Sequence, residues 1–370
     1  MAMMTSNNLR RGIDVPLLLI TYTTTLFGIL MLYSATLGDK INYAKSQIVW
    51  LVVASFALVV GSQIDYNRYG RWTRHLYWLN LGLLLFVKLK GHGAKGAVRW
   101  IKFGGFQFQP SEFAKVALTI CLAYYLVEKR EEIKDFWGLV KSFFYVAVPT
   151  AIIIEQPDLG TGLVVIVVWL CMVFMAGAKG KHLAILFMSA ALLFTAAWKL
   201  NVIHDYQKKR VIVLFYPEAD KDGAGYHVAQ ARIAIGSGGA WGKGFLKSQS
   251  VRGGFIPEKQ TDFIYTTIGE ELGFFGGLFV LMLYLLLLWR GRAIIIAAYE
   301  DEPGKLIATG IVTMLAFHII VNVGMNIGIM PVTGVPLPLM SAGGSNLIFI
   351  FFAIGILQSI IKNRRDLIFG

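Results

Sequence analysis

Ionisable residues that border apolar stretches are the strongest candidates for chemistry in this chain of 370 residues, because a charge near hydrocarbon is costly and marks a functional site by default. Asp262 stands at the start of a long apolar run, within the mixed-charge stretch Pro257–Phe263. Thr261 would serve equally well as a helix N-cap, so capping does not require an aspartate there. A carboxylate at a helix N-terminus stays ionised and can act as a general base. We therefore predict that Asp262 is catalytic and that Glu258 supports it.

Three further polar groups lie beside or within apolar runs. Glu112 and Lys115 are three residues apart and share one helical face, which fits either a structural ion pair or a functional site. Asp158 follows Glu155 at a turn and is interpreted as a helix cap or as part of a site. The third group is a stripe with four-residue spacing that predicts hydrogen bonds between helices: His318, Asn322 and Asn326.

The elements that must position these residues are membrane-spanning helices. Hydrophobic residues make up 56% of the chain and charged residues 15%, against about 25% charged in ordinary soluble proteins. A span needs roughly 20 apolar residues. We predict an all-α, polytopic integral membrane protein, one domain over 1–370, with about ten transmembrane helices at 14–37, 46–64, 76–89, 113–127, 136–154, 163–178, 182–199, 263–289, 306–330 and 345–361.

The distribution of basic residues predicts the orientation. With the N-terminus inside, seventeen Lys and Arg residues lie in the inner segments and seven in the short outer loops, as the positive-inside rule requires. Both termini are then cytoplasmic. A net charge of +13 is ordinary for inner membrane loops, and no nucleic-acid partner is expected.

Two outer segments differ from plain connections. The first, about 88–110, is rich in glycine and carries the basic residues Arg99 and Lys102. The second, about 200–262, lies between the seventh and eighth spans and contains Arg210. Loops of this length are functional or disordered. Its aromatic residues and a short helical pattern at Tyr226–Ile235, closed by glycine, predict a large folded outer loop.

Short motifs follow one another in a fixed order along the chain. They are Gln109–Lys115, Gln156–Thr161, His204–Gln207, Gly225–His227, Ala234–Gly239, Pro257–Glu258, Thr261–Phe263, Gly269–Gly273, Gly334–Pro338, Ser341 and Gly343–Ser345. In this order they resemble the SEDS family (shape, elongation, division and sporulation), its elongation branch more than its division branch. Lys259, Gln260 and Ala342 depart from the family pattern.

This resemblance implies a peptidoglycan glycosyltransferase that polymerises lipid II at the outer face of the membrane and releases undecaprenyl pyrophosphate. It implies a class B penicillin-binding protein as partner, besides lipid II and membrane lipids. The family's essential acid corresponds to Asp262, and its paired residues in the fourth span correspond to Glu112 and Lys115.

The residues and the resemblance together favour a single displacement that inverts the sugar's anomeric carbon, with Asp262 as the base. Arg99, Lys102, Lys115 and Arg210 are candidates for stabilising the departing pyrophosphate; binding of lipid headgroups by the basic loops stays open. A divalent cation, Mg²⁺ or Mn²⁺, on Asp262 is a further alternative, although the sequence offers no dedicated cage. Two other functions also remain: a lipid II flippase, and a non-catalytic scaffold for the penicillin-binding protein.

Overall fold

A computed structural model describes residues 12–363 except 40, 95–96, 104–105, 201–204, 217–219 and 221–222. Fourteen α-helices, one short 3₁₀ helix at Tyr66–Arg68 and three short strands follow one another in these described residues. The helices are α1 Val15–Ala35, α2 Tyr43–Gln63, α3 Tyr69–Lys90, α4 Pro110–Glu128, α5 Arg130–Ile133, α6 Phe136–Glu155, α7 Leu159–Met175, α8 Gly180–Lys199, α9 Asp205–Phe215, α10 Ala224–Gly238, α11 Gln249–Arg252, α12 Ile264–Ala297, α13 Glu302–Ile327 and α14 Gly344–Asn363.

Each predicted span coincides with a helix. Eight helices of the described chain, α1, α2, α4, α6, α8, α12, α13 and α14, are long and apolar enough to cross a membrane. The other two spans correspond to α3, which has basic residues in both end regions, and to α7, whose 17 residues extend about 26 Å. The helical membrane fold is thus confirmed, while a count of ten crossings stays a prediction.

The centre of the bundle is formed by α4, α13 and α14, which bury between 72% and 78% of their most apolar windows inside the protein. In contrast, α8 buries none of its window and lies at the periphery. Buried aliphatic side chains from all three central helices make up the core, among them Leu122, Ile311 and Ile354. Polar residues on α4 and α13 are therefore held in a tightly packed interior.

A small antiparallel sheet lies in the segment that was interpreted as a glycine-rich loop. Its strands, in the order β1-β2-β3, are β1 His92–Ala94, β2 Ala97–Phe103 and β3 Phe106–Phe108. The strands are rich in β-branched and aromatic residues, which favour the extended conformation. The sheet connects α3 to α4, and it places Arg99 of β2 beside the turn that precedes α7.

The long helix α12 is broken near its first third. Gly273 has φ +66° and ψ −158°, a conformation that suits glycine. The carbonyls of Glu270 and Glu271 accept hydrogen bonds at 3.0 and 2.9 Å from the backbone N–H groups of Lys243 and Gly244. On the other side of the break, Phe274 N–H donates to the carbonyl of Gly239 at 2.9 Å. The segment 239–244 thus satisfies backbone groups that the broken helix leaves unpaired.

Candidate active site

The backbone at Asp262 is held by side chains from other elements. Asp262 lies in the turn before α12, and its carbonyl accepts hydrogen bonds from the amides of Asn322 (3.0 Å) and Asn326 (2.9 Å) on α13. The preceding carbonyl, that of Thr261, accepts a hydrogen bond of 2.5 Å from the hydroxyl of Ser341. A side chain whose backbone is fixed by such buried contacts is pre-organised for chemistry.

The carboxylate of Asp262 faces the segment Thr333–Val335. The N-cap residue of α12 is Phe263, not Asp262, and its side chain makes no capping hydrogen bond. Oδ1 of Asn326 instead accepts from the first-turn backbone N–H of Thr266 at 3.2 Å. Gly334 has φ +73°, and a Cβ atom added to it would lie 3.6 Å from Oδ2 of Asp262. That distance is ordinary van der Waals contact, so it is the positive φ, not a lack of space, that favours glycine at 334.

Glu258 supports the turn that carries Asp262. Its carbonyl accepts hydrogen bonds from the backbone N–H groups of Thr261 (3.1 Å) and Phe263 (3.2 Å). Its carboxylate Oε2 lies 3.2 Å from the hydroxyl of Thr261. Glu258 itself has φ +57°, a strained conformation for a non-glycine residue. The structure therefore gives Glu258 a positioning role next to Asp262.

The segment Thr333–Val335 joins three elements around the carboxylate. Arg210, on α9, donates to the carbonyl of Thr333 at 3.3 Å. Asn322 donates to the carbonyl of Val335 at 2.8 Å. Gly160, at the start of α7, lies so near that an added Cβ atom would be 2.8 Å from the carbonyl oxygen of Thr333. Arg210 and Asp262 are thus brought to the same short segment.

Asp158 is a helix cap and also a tie between two helices. Its Oδ1 accepts from the backbone N–H of Thr161 at 3.3 Å, which caps α7. Its Oδ2 accepts from the hydroxyl of Ser111 at 3.0 Å, so the first turn of α4 is bound to it. Arg99 donates to the carbonyl of Gln156 at 2.9 Å and to that of Pro157. Arg99 therefore holds the turn that presents Asp158.

Glu112, Lys115 and His318 form a buried cluster between α4 and α13. Lys115 Nζ lies 2.9 Å from Oε2 of Glu112 and 3.2 Å from Nε2 of His318. Glu112 and Lys115 are each 4% exposed and His318 is 1% exposed. A neutral imidazole accepts through one ring nitrogen and donates through the other, so His318 can accept from the ammonium. Both the ion pair and the interhelical stripe predicted from the sequence are present.

The N-termini of α4, α7, α12 and α14 meet at one end of the bundle, called here the Asp262 end. Ser111 of α4 binds the cap of α7, and Ser345 of α14 donates to the carbonyl of Gln107 just before α4 at 2.7 Å. Ser341, just before α14, binds Thr261 just before α12. A helix N-terminus carries partial positive charge. Four of them at one end make a favourable environment for an anion.

The comparison with known proteins agrees with this architecture. The family model for cell cycle proteins of the FtsW, RodA and SpoVE group matches residues 15–366, nearly the whole chain. This chain belongs to the FtsW/RodA/SpoVE family.

Curated relatives of the FtsW/RodA/SpoVE family match over almost their full length. Peptidoglycan glycosyltransferase MrdB of Escherichia coli (strain K12) is 37% identical over 357 residues, which cover 96% of this chain and 95% of the relative. Stage V sporulation protein E of Bacillus subtilis is 35% identical, covering 95% of this chain and 98% of the relative. Peptidoglycan glycosyltransferase RodA of Treponema pallidum is 34% identical, covering 96% and 98%.

Two solved structures share the fold. One comes from work on the coordination of polymerization and crosslinking by a peptidoglycan synthase complex; its chain has a TM-score of 0.80 and 30% identity, covering 95% of this chain and 98% of its own. RodA of Thermus thermophilus has a TM-score of 0.69 and 27% identity, covering 96% and 98%. The predicted family is confirmed, and the predicted enzyme class agrees with the names of these relatives.

Six of the predicted site residues lie at the Asp262 end: Asp262 with Glu258 and Arg210, Asp158 at the cap of α7, and Glu112 with Lys115 on α4. Arg99 contacts the turn at Asp158. Lys102 lies on β2, opposite Gln107, but its side chain is outside the described part of the chain. Arg99, Lys115 and Arg210 all have protein partners. Arg99 and Lys115 are therefore positioning groups as well as candidates for contact with an anion.

Asn322, Asn326 and Ser341 make contacts with the backbone at Asp262 that the sequence did not indicate. The four-residue spacing of the two asparagines was a sufficient signal for hydrogen bonds across helices. It did not show that both amides bind the carbonyl of Asp262. Ser341 lies in a family motif, and its contact with Thr261 could only appear in the folded chain.

The fit of a divalent cation depends on Asp262. In the part of the chain that the structure describes, no three His, Cys, Asp or Glu side chains stand close enough to share one ion. Mg²⁺, however, is commonly bound by one or two carboxylates together with substrate phosphates. A single carboxylate at an end of the bundle that favours anions fits that pattern. Asp262 would be the ligand.

Proposed function

We propose that this chain is a peptidoglycan glycosyltransferase that polymerises lipid II into glycan strands at the outer face of the cytoplasmic membrane, releasing undecaprenyl pyrophosphate. The observation that carries the proposal is the carboxylate of Asp262, whose backbone is fixed by α13 at the meeting point of four helix N-termini. The names of its relatives support the enzyme class.

The reaction needs a base beside the attacking hydroxyl. The acceptor's 4-hydroxyl oxygen forms a bond to the anomeric carbon of the donor sugar, while the bond from that carbon to the pyrophosphate oxygen breaks. Asp262 takes the hydroxyl proton, and the pyrophosphate leaves with the electron pair. One such displacement turns an α-linked donor into a β-linked strand. A carboxylate within hydrogen-bond reach of the hydroxyl is what this step requires.

The departing pyrophosphate needs positive charge. Arg210 donates one N–H to Thr333, and a guanidinium carries five donors. The four helix N-termini add partial positive charge. A divalent cation bound by Asp262 would supply further neutralisation of the leaving group.

The basic inner loops support an outer location for this end, since α4, α7, α12 and α14 then all begin outside. The complex that contains the related chain of 30% identity couples polymerization to crosslinking, which supports a class B penicillin-binding protein as partner. An elongation role rests on motif resemblance and on the RodA and MrdB relatives.

The decisive experiment compares the wild type with Asp262→Asn on purified lipid II. Asparagine keeps the size of aspartate but removes the charge of the base. We expect the polymerisation rate to fall by about 10²–10⁴-fold, the usual effect of losing a general base. Glycan length on gels is measured in EDTA, Mg²⁺ and Mn²⁺, with and without the partner.

The matched control is Asp39→Asn, which makes the same change in a pair of 3.0 Å with Lys259. We expect near wild-type polymerisation from this variant. Equal rates for Asp262→Asn and the wild type would exclude Asp262 as the base. If the wild type made no polymer under any condition but moved lipid II across liposomes, the flippase would be favoured; activity of neither kind would favour the scaffold.

A further inference from the structure

A cavity lies at the end of the bundle opposite Asp262, between α3, α4 and α6. Its volume is about 510 Å³, within the range of about 300–1,000 Å³ typical of small-molecule sites. It contacts the last two turns of α4, from Cys121 to Glu128. Glu112 and Tyr125 are thirteen positions apart on α4, which corresponds to about 20 Å along the helix. The cavity is therefore separate from the network around Asp262.

One wall of the cavity is a column of three tyrosine rings. Tyr145 of α6 stacks on Tyr77 of α3, with centroids 4.4 Å apart, and on Tyr125 of α4, with centroids 4.8 Å apart. The hydroxyl of Tyr77 donates to the carbonyl of Tyr145 at 2.9 Å, which locks the first pair. The column is a fixed apolar surface, against which a hydrocarbon chain can pack.

Two opposite charges line the same cavity from facing helices. Arg74 belongs to α3 and Glu128 to α4, and both are exposed. Among the described residues neither makes an ion pair or a hydrogen bond, with the other or with any other group. By contrast, Lys134 and Glu131 in the adjacent connection pair at 2.6 Å. The cavity thus presents one cation and one anion to a ligand.

We propose that this cavity binds an ethanolamine phospholipid of the adjoining membrane leaflet. The phosphate lies on the guanidinium of Arg74, which presents a fork of donors to phosphate oxygens. The ammonium donates to the carboxylate of Glu128, and an acyl chain runs along the tyrosine column. A purely anionic headgroup would satisfy Arg74 but would face the charge of Glu128. A choline headgroup has no N–H to donate. With the predicted orientation, this leaflet is the cytoplasmic one.

The test is lipid retention by the purified, delipidated full-length protein in detergent, measured by native mass spectrometry. Phosphatidylethanolamine, phosphatidylglycerol and phosphatidylcholine are added in equal amounts. We expect the ethanolamine lipid to be retained preferentially. Arg74→Gln and Glu128→Gln should each reduce its retention by about threefold, the scale of an exposed ion pair.

Matched controls remove charges that do not line the cavity. Arg71→Gln on α3 and Glu131→Gln in the adjacent connection should retain the ethanolamine lipid as the wild type does. Melting temperatures verify that each variant folds, and Arg74→Lys keeps the positive charge and should retain most of the binding. Equal retention of phosphatidylglycerol, or of phosphatidylcholine, by the wild type would overturn the proposal. If Arg74→Gln reduced retention of the ethanolamine lipid but Glu128→Gln did not, the proposal would also be overturned, in favour of a site that binds phosphate alone.

Discussion

Lys115 illustrates at the scale of a residue how the buried charges are stabilised. Its ammonium contacts a carboxylate of the same helix at 2.9 Å and an imidazole of α13 at 3.2 Å. A buried charge without such partners costs several kcal/mol. The stripe that places His318 on α13 continues to Asn322 and Asn326, so the ion pair and the backbone of Asp262 depend on one face of one helix.

Replacing one member of the buried pair tests this dependence. Glu112→Gln leaves the ammonium of Lys115 with His318 alone, and we expect destabilisation of about 3–5 kcal/mol. Glycan synthesis should fall with it. The double variant Glu112→Gln/Lys115→Met should recover part of the lost stability, because no uncompensated charge remains. Thermal melting and polymerisation of lipid II provide the measurements.

The control for this pair is Glu131→Gln. Glu131 and Lys134 have the same spacing, but Glu131 is 80% exposed, so water replaces the lost partner and the melting temperature should not change. If Glu112→Gln melts like the wild type but makes no glycan, Glu112 acts directly in the reaction or in coupling to the partner.

At the scale of an element, the break in α12 is stabilised by the segment 239–244. The carboxylate of Glu270 reinforces this junction, since it accepts from Lys243 Nζ at 2.6 Å and from the backbone N–H groups that open α11. The first turns of α12 carry Thr266, whose hydroxyl donates to Asn326 at 2.6 Å. Hydrogen bonds therefore link the outer segment 239–250 to the broken helix α12, and link α12 to Asn326, which also holds the backbone at Asp262.

Two glycines with positive φ distinguish a steric clash at this junction from the backbone cost of positive φ alone. Gly242 has φ +78°, and an added Cβ atom would lie 2.1 Å from the carbonyl oxygen of Glu271. Gly254 has φ +70° and nothing within 4 Å of an added Cβ atom. Gly254→Ala should cost about 1–2 kcal/mol, from the backbone alone. Gly242→Ala should cost clearly more and reduce polymerisation, as thermal melting and glycan assays would detect. Equal losses of stability in the two variants would show that the segment 239–244 can shift away from α12 without further cost.

At the scale of the whole molecule, the two ends of the bundle are chemically different. The Asp262 end gathers four helix N-termini, Arg210 and the carboxylate. The opposite end has exposed basic residues on α3 and the connection around α5, together with the cavity at Arg74 and Glu128. This asymmetry fits a protein that meets an anionic lipid-linked substrate on one side of the membrane.

Thiol labelling tests the orientation. The native residues Cys121 and Cys171 are first replaced by alanine, and one cysteine is then introduced at exposed Lys247 or exposed Glu131. In intact spheroplasts a membrane-impermeant reagent should label Lys247→Cys but not Glu131→Cys, because the positive-inside rule places α5 in the cytoplasm. Lysis should expose the second site. The reverse pattern would place the Asp262 end inside and contradict an outer-face enzyme.

Much of the local structure could be predicted from the sequence. The apolar runs predicted a helix at every span, since the length needed to cross hydrocarbon is a local property. The pattern at Tyr226–Ile235 predicted α10, which the structure bounds at Ala224–Gly238. Asp262 was predicted to be catalytic because capping did not require an aspartate there, and this stays a prediction. Of the two interpretations of Asp158, the structure confirms the helix cap. The strands at 92–108 were missed, although Gly104 and Gly105 between aromatic runs are a hairpin signal.

The sequence by itself determined the family and the helical membrane fold, and it led to the prediction that Asp262 is the catalytic base. Only the tertiary structure decided that Asn322, Asn326 and Ser341 hold the backbone at Asp262, that Arg210 reaches Thr333, and that α12 breaks at Gly273. Spans follow from short-range apolar patterns, whereas these contacts join residues up to 123 positions apart. Such pairings exist only once helices pack, because a buried backbone group takes whichever partner the fold brings within hydrogen-bond distance.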